Sequence, residues 1–161
     1  MNEKLDRFDR MILQTLQSGA DRTVAEVAEH VGLSKTPCWR RIQRLEETGV
    51  IRRRVALLDR KAVNVPVTVF VRIRTNQHNP EWLKAFSNAV QDIDEIVEAY
   101  RMSGETDYVL RVVVPDIEGY DRVYKRLIAA APMYDVSSSF AMEELKYTTE
   151  LPLAHAKVAG P

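Results

Sequence analysis

The side chains best suited to recognition chemistry share one face of a predicted helix. On a wheel of about 100° per residue, Thr36, Arg40 and Gln43 fall together, and Trp39 and Arg44 flank them. Arginine and glutamine are the side chains that pair in a bidentate manner with the edges of guanine and adenine. For Trp39, packing at the junction between the helix and the strand that follows it is the alternative. The face predicts contact with bases in a groove of double-stranded DNA.

Further polar and basic residues surround this face. Lys35 stands at the start of the helix, where recognition helices usually touch bases, and Ser34 is its predicted N-cap. The run 52–54 is suited to phosphates, which position a protein without specifying sequence, although it could serve solubility alone. The predicted DNA-binding residues are Ser34, Lys35, Thr36, Trp39, Arg40, Gln43, Arg44, Arg52, Arg53 and Arg54.

The charge of the chain is divided unevenly. The 161 residues carry no formal net charge, but residues 35–61 hold 9 basic and 3 acidic side chains. Residues 1–60 hold 12 basic and 9 acidic side chains, and the remainder hold 11 and 14. This division indicates a polyanion-binding region joined to a different domain, with a solvated charged face as the alternative.

Motifs of catalysis, metal binding and membrane insertion are absent from the sequence. There is no G-x-S-x-G, P-loop or H-E-x-x-H pattern, and His30, His78 and His155 are far apart. Cys38 cannot form an internal disulfide and suits a small buried core position. No apolar run approaches the roughly 20 residues of a spanning helix, and the charged N-terminus does not resemble a signal peptide. We expect a cytoplasmic protein that is not an enzyme and has no catalytic residues, no metal, no cofactor and no membrane contact.

Three predicted helices position the basic face. Apolar residues at intervals of three and four predict helices over 5–19, 23–31 and 34–49. Gly32 permits a sharp turn between the second and third helices, which together form a helix-turn-helix at about 24–43. A strand that begins at Val50 is predicted to make this a winged domain.

The second half changes to the period-two alternation of strands. The predicted strands cover 66–75, 96–102, 107–114 and 134–147, and the helices cover 80–91 and 117–131. The predicted inward-facing helix residues are Leu83, Phe86, Val90, Ile117, Tyr120, Tyr124, Leu127 and Ile128. The order βαββαβ predicts a ferredoxin-like antiparallel sheet with both helices on one face. The fold class is therefore α+β, a winged helix-turn-helix joined to this ferredoxin-like domain.

The sheet face without helices needs a cover. Phe70, Val97, Val109 and Val113 are predicted to lie on it and are too apolar to be exposed together. A second copy of the chain is the simplest cover, and helix-turn-helix proteins read paired half-sites as twofold dimers. The sequence therefore predicts at least a dimer.

Four segments carry a resemblance that extends from Leu5 to Pro152. They are LDRFDRMIL, VAEVAEHVGLSKTPCWRRIQRLEETGVIRR, MSGETDYVLRVVV and FAMEELKYTTELP. In this order they resemble the Lrp/AsnC (feast/famine) family of transcriptional regulators. The runs TPCWRRIQRLE and SSSFAMEELKYTTELP also resemble its DecR-type branch, which serves cysteine detoxification.

The resemblance implies a C-terminal RAM domain that dimerises, assembles into an octamer and binds a small amino acid, with cysteine or a leucine-like amino acid as first candidates. The effector positions that it implies are Met102, Ser103, Gly104, Glu105, Asp107, Tyr108, Ser137 and Ser138. A carboxylate would hold the ammonium group of the effector, and hairpin N–H groups and serine hydroxyls would hold its carboxylate. The alternative is that Gly104 serves the turn and Asp107 caps the hairpin.

The predicted domains are a DNA-binding domain at 1–57, a linker at 58–65, the RAM domain at 66–150 and a tail at 151–161. The expected function is that of a sequence-specific, amino-acid-responsive transcriptional regulator. A DNA-compacting architectural protein with little sequence preference is the alternative.

Overall fold

The computed structural model describes residues 5–77 and 79–156, and the chain divides into two units. One comprises Met1–Leu57 together with Lys146–Pro161, and the other comprises Leu58–Leu145. The predicted limits placed residues 146–150 with the second domain and 151–161 in a tail, so the division differs from them at this end. His78 and residues 157–161 lie outside the described residues.

Three helices form the first unit: α1 (Arg7–Ser18), α2 (Val24–Val31) and α3 (Lys35–Glu47). Asp6 is the N-cap of α1, and Thr23 is the N-cap of α2 as predicted. The side chains of both accept hydrogen bonds in capping boxes. Ser34 occupies the N-cap position of α3, but its side chain makes no capping hydrogen bond.

The core of the first unit lies where the three helices meet. Ile12 of α1, Val27 of α2 and Ile42 of α3 are almost fully buried there. Gly32 ends α2 in the left-handed conformation and turns the chain into α3. This turn and core are those of the predicted helix-turn-helix.

The strand predicted to begin at Val50 is absent from the described residues of the chain. Residues 52–58 have no regular secondary structure, and Arg52–Arg54 are exposed. A strand needs a hydrogen-bonded neighbour, and the residues that the structure describes provide none for this segment. The basic wing is therefore an irregular extension after α3.

The second unit alternates strands and helices: β1 (Val67–Arg74), α4 (Pro80–Asp92), β2 (Ile96–Arg101), β3 (Tyr108–Val114), α5 (Ile117–Ala130) and β4 (Asp135–Phe140). The strands pair in the order β2-β3-β1-β4, and every pairing is antiparallel. Together with the element order, this is the predicted ferredoxin-like topology. Residues Leu153–His155 form a short 3-10 helix further along the chain.

The helix faces of the second unit differ in part from the prediction. Leu83, Ile117 and Ile128 were expected to face inward, but all three are exposed. The buried face of α4 instead includes Trp82 and Ala89, and that of α5 includes Gly119 and Val123. Phe86, Tyr120 and Leu127 are buried as predicted, so each predicted face was correct at its centre and displaced at its edges.

Two further details of the sheet differ from expectation. Strand β4 ends at Phe140, and residues 141–150 are exposed without regular structure, whereas a strand to residue 147 was predicted. On the uncovered face, Phe70 and Val97 are exposed as predicted, but Val109 is half-buried and Val113 is buried. The apolar surface left open by the helices is thus smaller than the sequence suggested.

The C-terminal residues of the first unit pack against its helices. Leu153 and Ala156 contact the core formed by α1, α2 and α3. The Gln17 side chain donates to the Leu151 carbonyl at 3.2 Å and accepts from the Leu151 N–H at 2.7 Å. Residues that follow the second unit therefore complete the first one.

Candidate nucleic-acid interface and ligand pocket

The buried side of α3 fixes which of its side chains face outward. Cys38, Ile42 and Leu45 are buried against α1 and α2, and burial raises the pKa of the Cys38 thiol. The opposite side presents Thr36 and Arg40 to solvent. The helix thus displays the predicted base-reading residues in the manner that groove binding requires.

The start of α3 and the segment after it add exposed groups. Lys35 is exposed, and Trp39 is 50% exposed, which leaves its ring available for contact rather than buried at a junction. Among the residues described, Lys35, Arg40, Arg52 and Arg53 make no ion pair. Within the predicted DNA-binding set, these four cations are accessible to phosphates or bases.

Glu46 engages two other members of the predicted set. The Gln43 amide donates to Glu46 Oε2 at 3.2 Å, and Arg54 Nη2 lies 2.9 Å from Glu46 Oε1. Both partners are partly exposed, so these bonds can exchange for DNA contacts at little cost. Gln43 and Arg54 are near the interface but held by a carboxylate in the unbound chain.

Arg44 is directed away from the others. Its Nη2 lies 2.6 Å from Asp9 Oδ2 on α1, and the neighbouring Arg41 pairs with both Asp6 and Asp9. Burial lowers the pKa of Arg41, but hydrogen bonds and charge from the two aspartates outweigh this and raise it above the ordinary value. The structure does not bring Arg44 together with the exposed reading face.

A cleft of about 380 Å³ opens where β1 ends beside the β2–β3 hairpin. The residues that line it are Arg74, Thr75, Asn76, Gly104, Glu105, Asp107 and Tyr134. Three of these, Gly104, Glu105 and Asp107, belong to the predicted effector set. The other four were missed, although the pairing of Ile73 with Tyr108 in the antiparallel β1–β3 register necessarily brings residues 74–76 beside the hairpin.

The cleft contains both signs of charge and an aromatic wall. The Arg74 guanidinium lies 5.6 Å from the centre of the Tyr134 ring, a cation–π geometry that holds it in place. Glu105 is exposed at the rim. A cation and a carboxylate in one cleft match the carboxylate and ammonium groups of a zwitterion.

Asp107 already has a structural task. Its Oδ2 accepts the Thr75 N–H at 2.8 Å, and its backbone N–H donates to the Ile73 carbonyl at 3.0 Å. Gly104 has a φ of 107°, so the turn needs glycine there. Asp107 and Gly104 therefore both shape the hairpin, and both also line the cleft.

The remaining effector candidates are dispersed. Met102 and Ser103 are exposed but do not line the cleft, and Tyr108 packs on Trp82 and Phe86 with ring centres at 5.7 and 4.6 Å. The structure does not bring Tyr108 together with the exposed hairpin side chains, because its ring faces the α4 side of the sheet.

Ser137 and Ser138 lie on opposite faces of the sheet. Ser138 hydrogen-bonds the Tyr120 hydroxyl beneath α5, and burial raises the pKa of that phenol although Ser138 opposes the shift. Ser137 lies on the other face, where Arg72 Nη2 approaches its hydroxyl at 3.3 Å. Adjacent strand residues point to opposite faces, which corrects their joint assignment.

Two negative findings concern the described residues. Within 5–77 and 79–156, no three His, Cys, Asp or Glu side chains form a group that could hold a metal ion. No helix in the same ranges is long and apolar enough to cross a bilayer.

Comparison with known proteins connects both halves to one family. Residues 5–52 match the profile "Winged helix-turn-helix DNA-binding", and residues 68–151 match "Lrp/AsnC ligand binding domain". The chain is 45% identical to the DNA-binding transcriptional activator DecR of Escherichia coli K12, covering 92% of this chain and 99% of that protein. A DecR protein is therefore among the relatives that this chain resembles.

Solved structures agree over nearly the whole chain. An AsnC family transcriptional regulator from Agrobacterium tumefaciens superposes with a TM-score of 0.90 and 63% identity, covering 94% of this chain and 99% of that one. A transcriptional regulator of Neisseria meningitidis solved as a complex with L-Met gives 0.90 and 35% over the same shares. The chain belongs to the Lrp/AsnC family of transcriptional regulators, which are DNA-binding proteins with a ligand-binding domain and not enzymes.

Proposed function

We propose that this regulator reads DNA with Thr36, Arg40 and Gln43 of α3, with Trp39 beside them, and positions itself on phosphates with Lys35, Arg52 and Arg53. The observation that carries this proposal is the exposed side of α3, which sits opposite a fully buried stripe and carries Arg40 without an ion pair among the described residues. Ser34 and Arg54 lie at the margins of this surface.

Arg40→Ala tests the reading role. A bidentate base contact contributes about 1–3 kcal/mol of discrimination, so the variant should lose roughly 5- to 150-fold in preference at one base pair. The matched control is Arg122→Ala, because Arg122 is an exposed arginine of α5 in the other unit. A target sequence is selected from random duplexes, and its binding by each full-length variant is compared with binding of duplexes changed at single base pairs. If Arg40→Ala and Arg122→Ala show the same preference at every base pair, the proposal is contradicted.

The same selection separates the two candidate functions. A regulator enriches a defined sequence and prefers it over random DNA, whereas an architectural protein enriches none. The regulator is favoured because Arg40 and Gln43 are side chains of base recognition on an exposed helix face, while phosphate-binding groups alone would suffice for compaction.

We further propose that a small amino acid binds in the cleft beside Gly104. Arg74 would hold the α-carboxylate of the effector, and Glu105 its ammonium group, because these two side chains supply opposite charges in one cleft. The L-Met complex of the Neisseria relative supports an amino acid as the ligand class. Cysteine, leucine and methionine are the first candidates.

Calorimetric titration of these three amino acids tests the cleft. Arg74→Ala and Glu105→Ala should each weaken binding at least tenfold, since each removes one charged hydrogen-bonding partner. Ser103→Ala is the control, because Ser103 is exposed on the same hairpin but outside the cleft. Binding that survives both charge substitutions would place the effector elsewhere.

The oligomer belongs to this proposal as well. Phe70, Val97 and Tyr100 are exposed apolar residues on strands of the sheet, and a second copy would cover them in a dimer that assembles further into an octamer. Effector binding would then change the arrangement of subunits and hence the spacing of paired reading helices. A monomer in analytical ultracentrifugation at micromolar concentration contradicts this part. We place the regulator in the cytoplasm, where its DNA target lies.

A further inference from the structure

Arg74 stands near several carboxylates and forms an ion pair with none of them. Asp135 is its Cα partner across the β1–β4 pairing, and Glu105 and Asp107 line the same cleft. Residues directly opposite each other in antiparallel strands point to the same face, and opposite charges there attract. Among the described residues, Arg74 nevertheless has no salt bridge. The absence of the expected pair with Asp135 requires a cause.

The ring of Tyr134 provides one. Arg74 Cζ lies 5.6 Å from the centre of this ring, within the distance of a cation–π contact. The Tyr134 N–H donates to the Arg74 carbonyl at 2.9 Å, so the backbone also joins the two residues. The Tyr134 side chain is 68% exposed, and core packing therefore does not account for a large aromatic residue here.

A contact with a ring leaves Arg74 better prepared for a ligand than a salt bridge would. The ring face attracts the guanidinium without supplying a carboxylate oxygen, so the N–H fork of Arg74 stays available for a carboxylate that arrives with the effector. A salt bridge to Asp135 would have to be broken first. The ring also restricts the side chain in advance, which saves part of the cost of ordering it on binding.

We propose that Tyr134 is a positioning residue of the amino-acid cleft, which keeps Arg74 away from Asp135 and oriented towards the α-carboxylate of the effector. This inference rests on the proposed amino-acid site, in which Arg74 holds that carboxylate. Tyr134 acts through Arg74, and the effector positions expected from the sequence did not include it.

The carboxylate preference of the cleft measures this role. It is the ratio between the affinity for an amino acid and the affinity for its carboxamide, which lacks the carboxylate. Cysteine, leucine, methionine and their carboxamides are titrated calorimetrically into the full-length protein at about pH 6, where carboxylates and ammonium groups are both charged. A hydrogen bond to a charged group predicts a preference of roughly 12- to 150-fold in the wild type. Arg74→Ala should remove most of it.

Tyr134→Leu tests the ring. It should lower the carboxylate preference roughly two- to twelvefold, because the effector must then order the Arg74 side chain itself. Tyr134→Phe is the matched control, since it keeps the ring face and removes only the hydroxyl, and its preference should equal that of the wild type. The exposure of Tyr134 means that neither change creates a cavity.

Asp135→Asn tests whether the ring acts by keeping Arg74 away from this carboxylate. In the Tyr134→Leu background it removes the competing partner of Arg74 and should recover up to about fivefold in carboxylate preference. In the wild-type background the ring already separates the two charges, so the same change should have a smaller effect. Equal effects in the two backgrounds would overturn the proposal.

Two other outcomes also overturn it. One is an unchanged carboxylate preference in Tyr134→Leu, and the other is a loss in Tyr134→Phe as large as the loss in Tyr134→Leu. If the wild type binds none of the three amino acids, or if its preference survives Arg74→Ala, the proposed amino-acid site fails first. A preference that depends on Arg74 and not on Tyr134 marks the failure of this inference alone.

Discussion

Gly32 offers a test of how the turn before the recognition helix is stabilised. It has φ 73° and ψ 35° at the end of α2, where its N–H donates to the carbonyls of Ala28 and Glu29. A Cβ built at this position would meet no atom within 4 Å. The cost of Gly32→Ala is therefore conformational rather than steric.

The size of that cost follows from the backbone. A residue with a Cβ loses about 1–2 kcal/mol in the left-handed region, and the lower entropy of an unfolded alanine chain returns about 0.4–1 kcal/mol. We expect a net loss of about 1 kcal/mol. Gly32→Asn is the control, because asparagine adopts this conformation more readily and should lose less.

Native-state hydrogen exchange provides a local assay in the full chain. The amide of Leu33, which donates to the Ala28 carbonyl at 2.9 Å, and the buried amides of α3 report on this unit alone. A loss of about 1 kcal/mol accelerates their exchange about fivefold. Unchanged exchange would refute the left-handed turn, and a hundredfold acceleration would mean that the added methyl group meets an obstacle.

Three further predictions concern buried groups. Ile42→Ala should lower the free energy of unfolding of the first unit by about 2–5 kcal/mol, as for other buried large-to-small changes, and a loss below that range in urea unfolding would contradict its core position. Burial raises the pKa of Cys38, so at about pH 8 its thiolate fraction is lower than that of a free cysteine. Ellman's reagent should therefore label Cys38 only after unfolding. Prompt labelling of the native chain would contradict this prediction. Asp107→Ala should cost about 1–3 kcal/mol by leaving the Thr75 N–H without its acceptor, measurable as a lower urea midpoint without any amino acid present. A purely ligand-binding Asp107 would leave that midpoint unchanged.

Local patterns in the sequence were sufficient for the element order. Thr23 and Gly32 delimit α2 as a capping residue and a left-handed glycine should. The alternation in β1 correctly placed Val69, Val71 and Ile73 on the covered face. These features depend on neighbours within a few residues, which is why pattern alone predicted them.

The features that sequence reasoning missed depend on distant partners. Nothing local indicates that Asp9 meets arginines 32 and 35 positions away, so Arg44 was grouped with the exposed face. Likewise Arg74 enters the cleft only through the pairing of β1 with β3. Ser137 and Ser138 were treated as a pair although strand geometry alone separates neighbours, and that error was avoidable.

The two hydrogen bonds between Gln17 and Leu151, and the packing of the residues after them, have a practical consequence for protein engineering. A fragment cut after residue 57 would discard Leu153 and Ala156 and expose the apolar surface that they shield on the three-helix unit. A fusion of this DNA-binding unit with another sensor domain would therefore need both of its segments, Met1–Leu57 and Lys146–Pro161. The new domain would be inserted between the two segments rather than attached after residue 57.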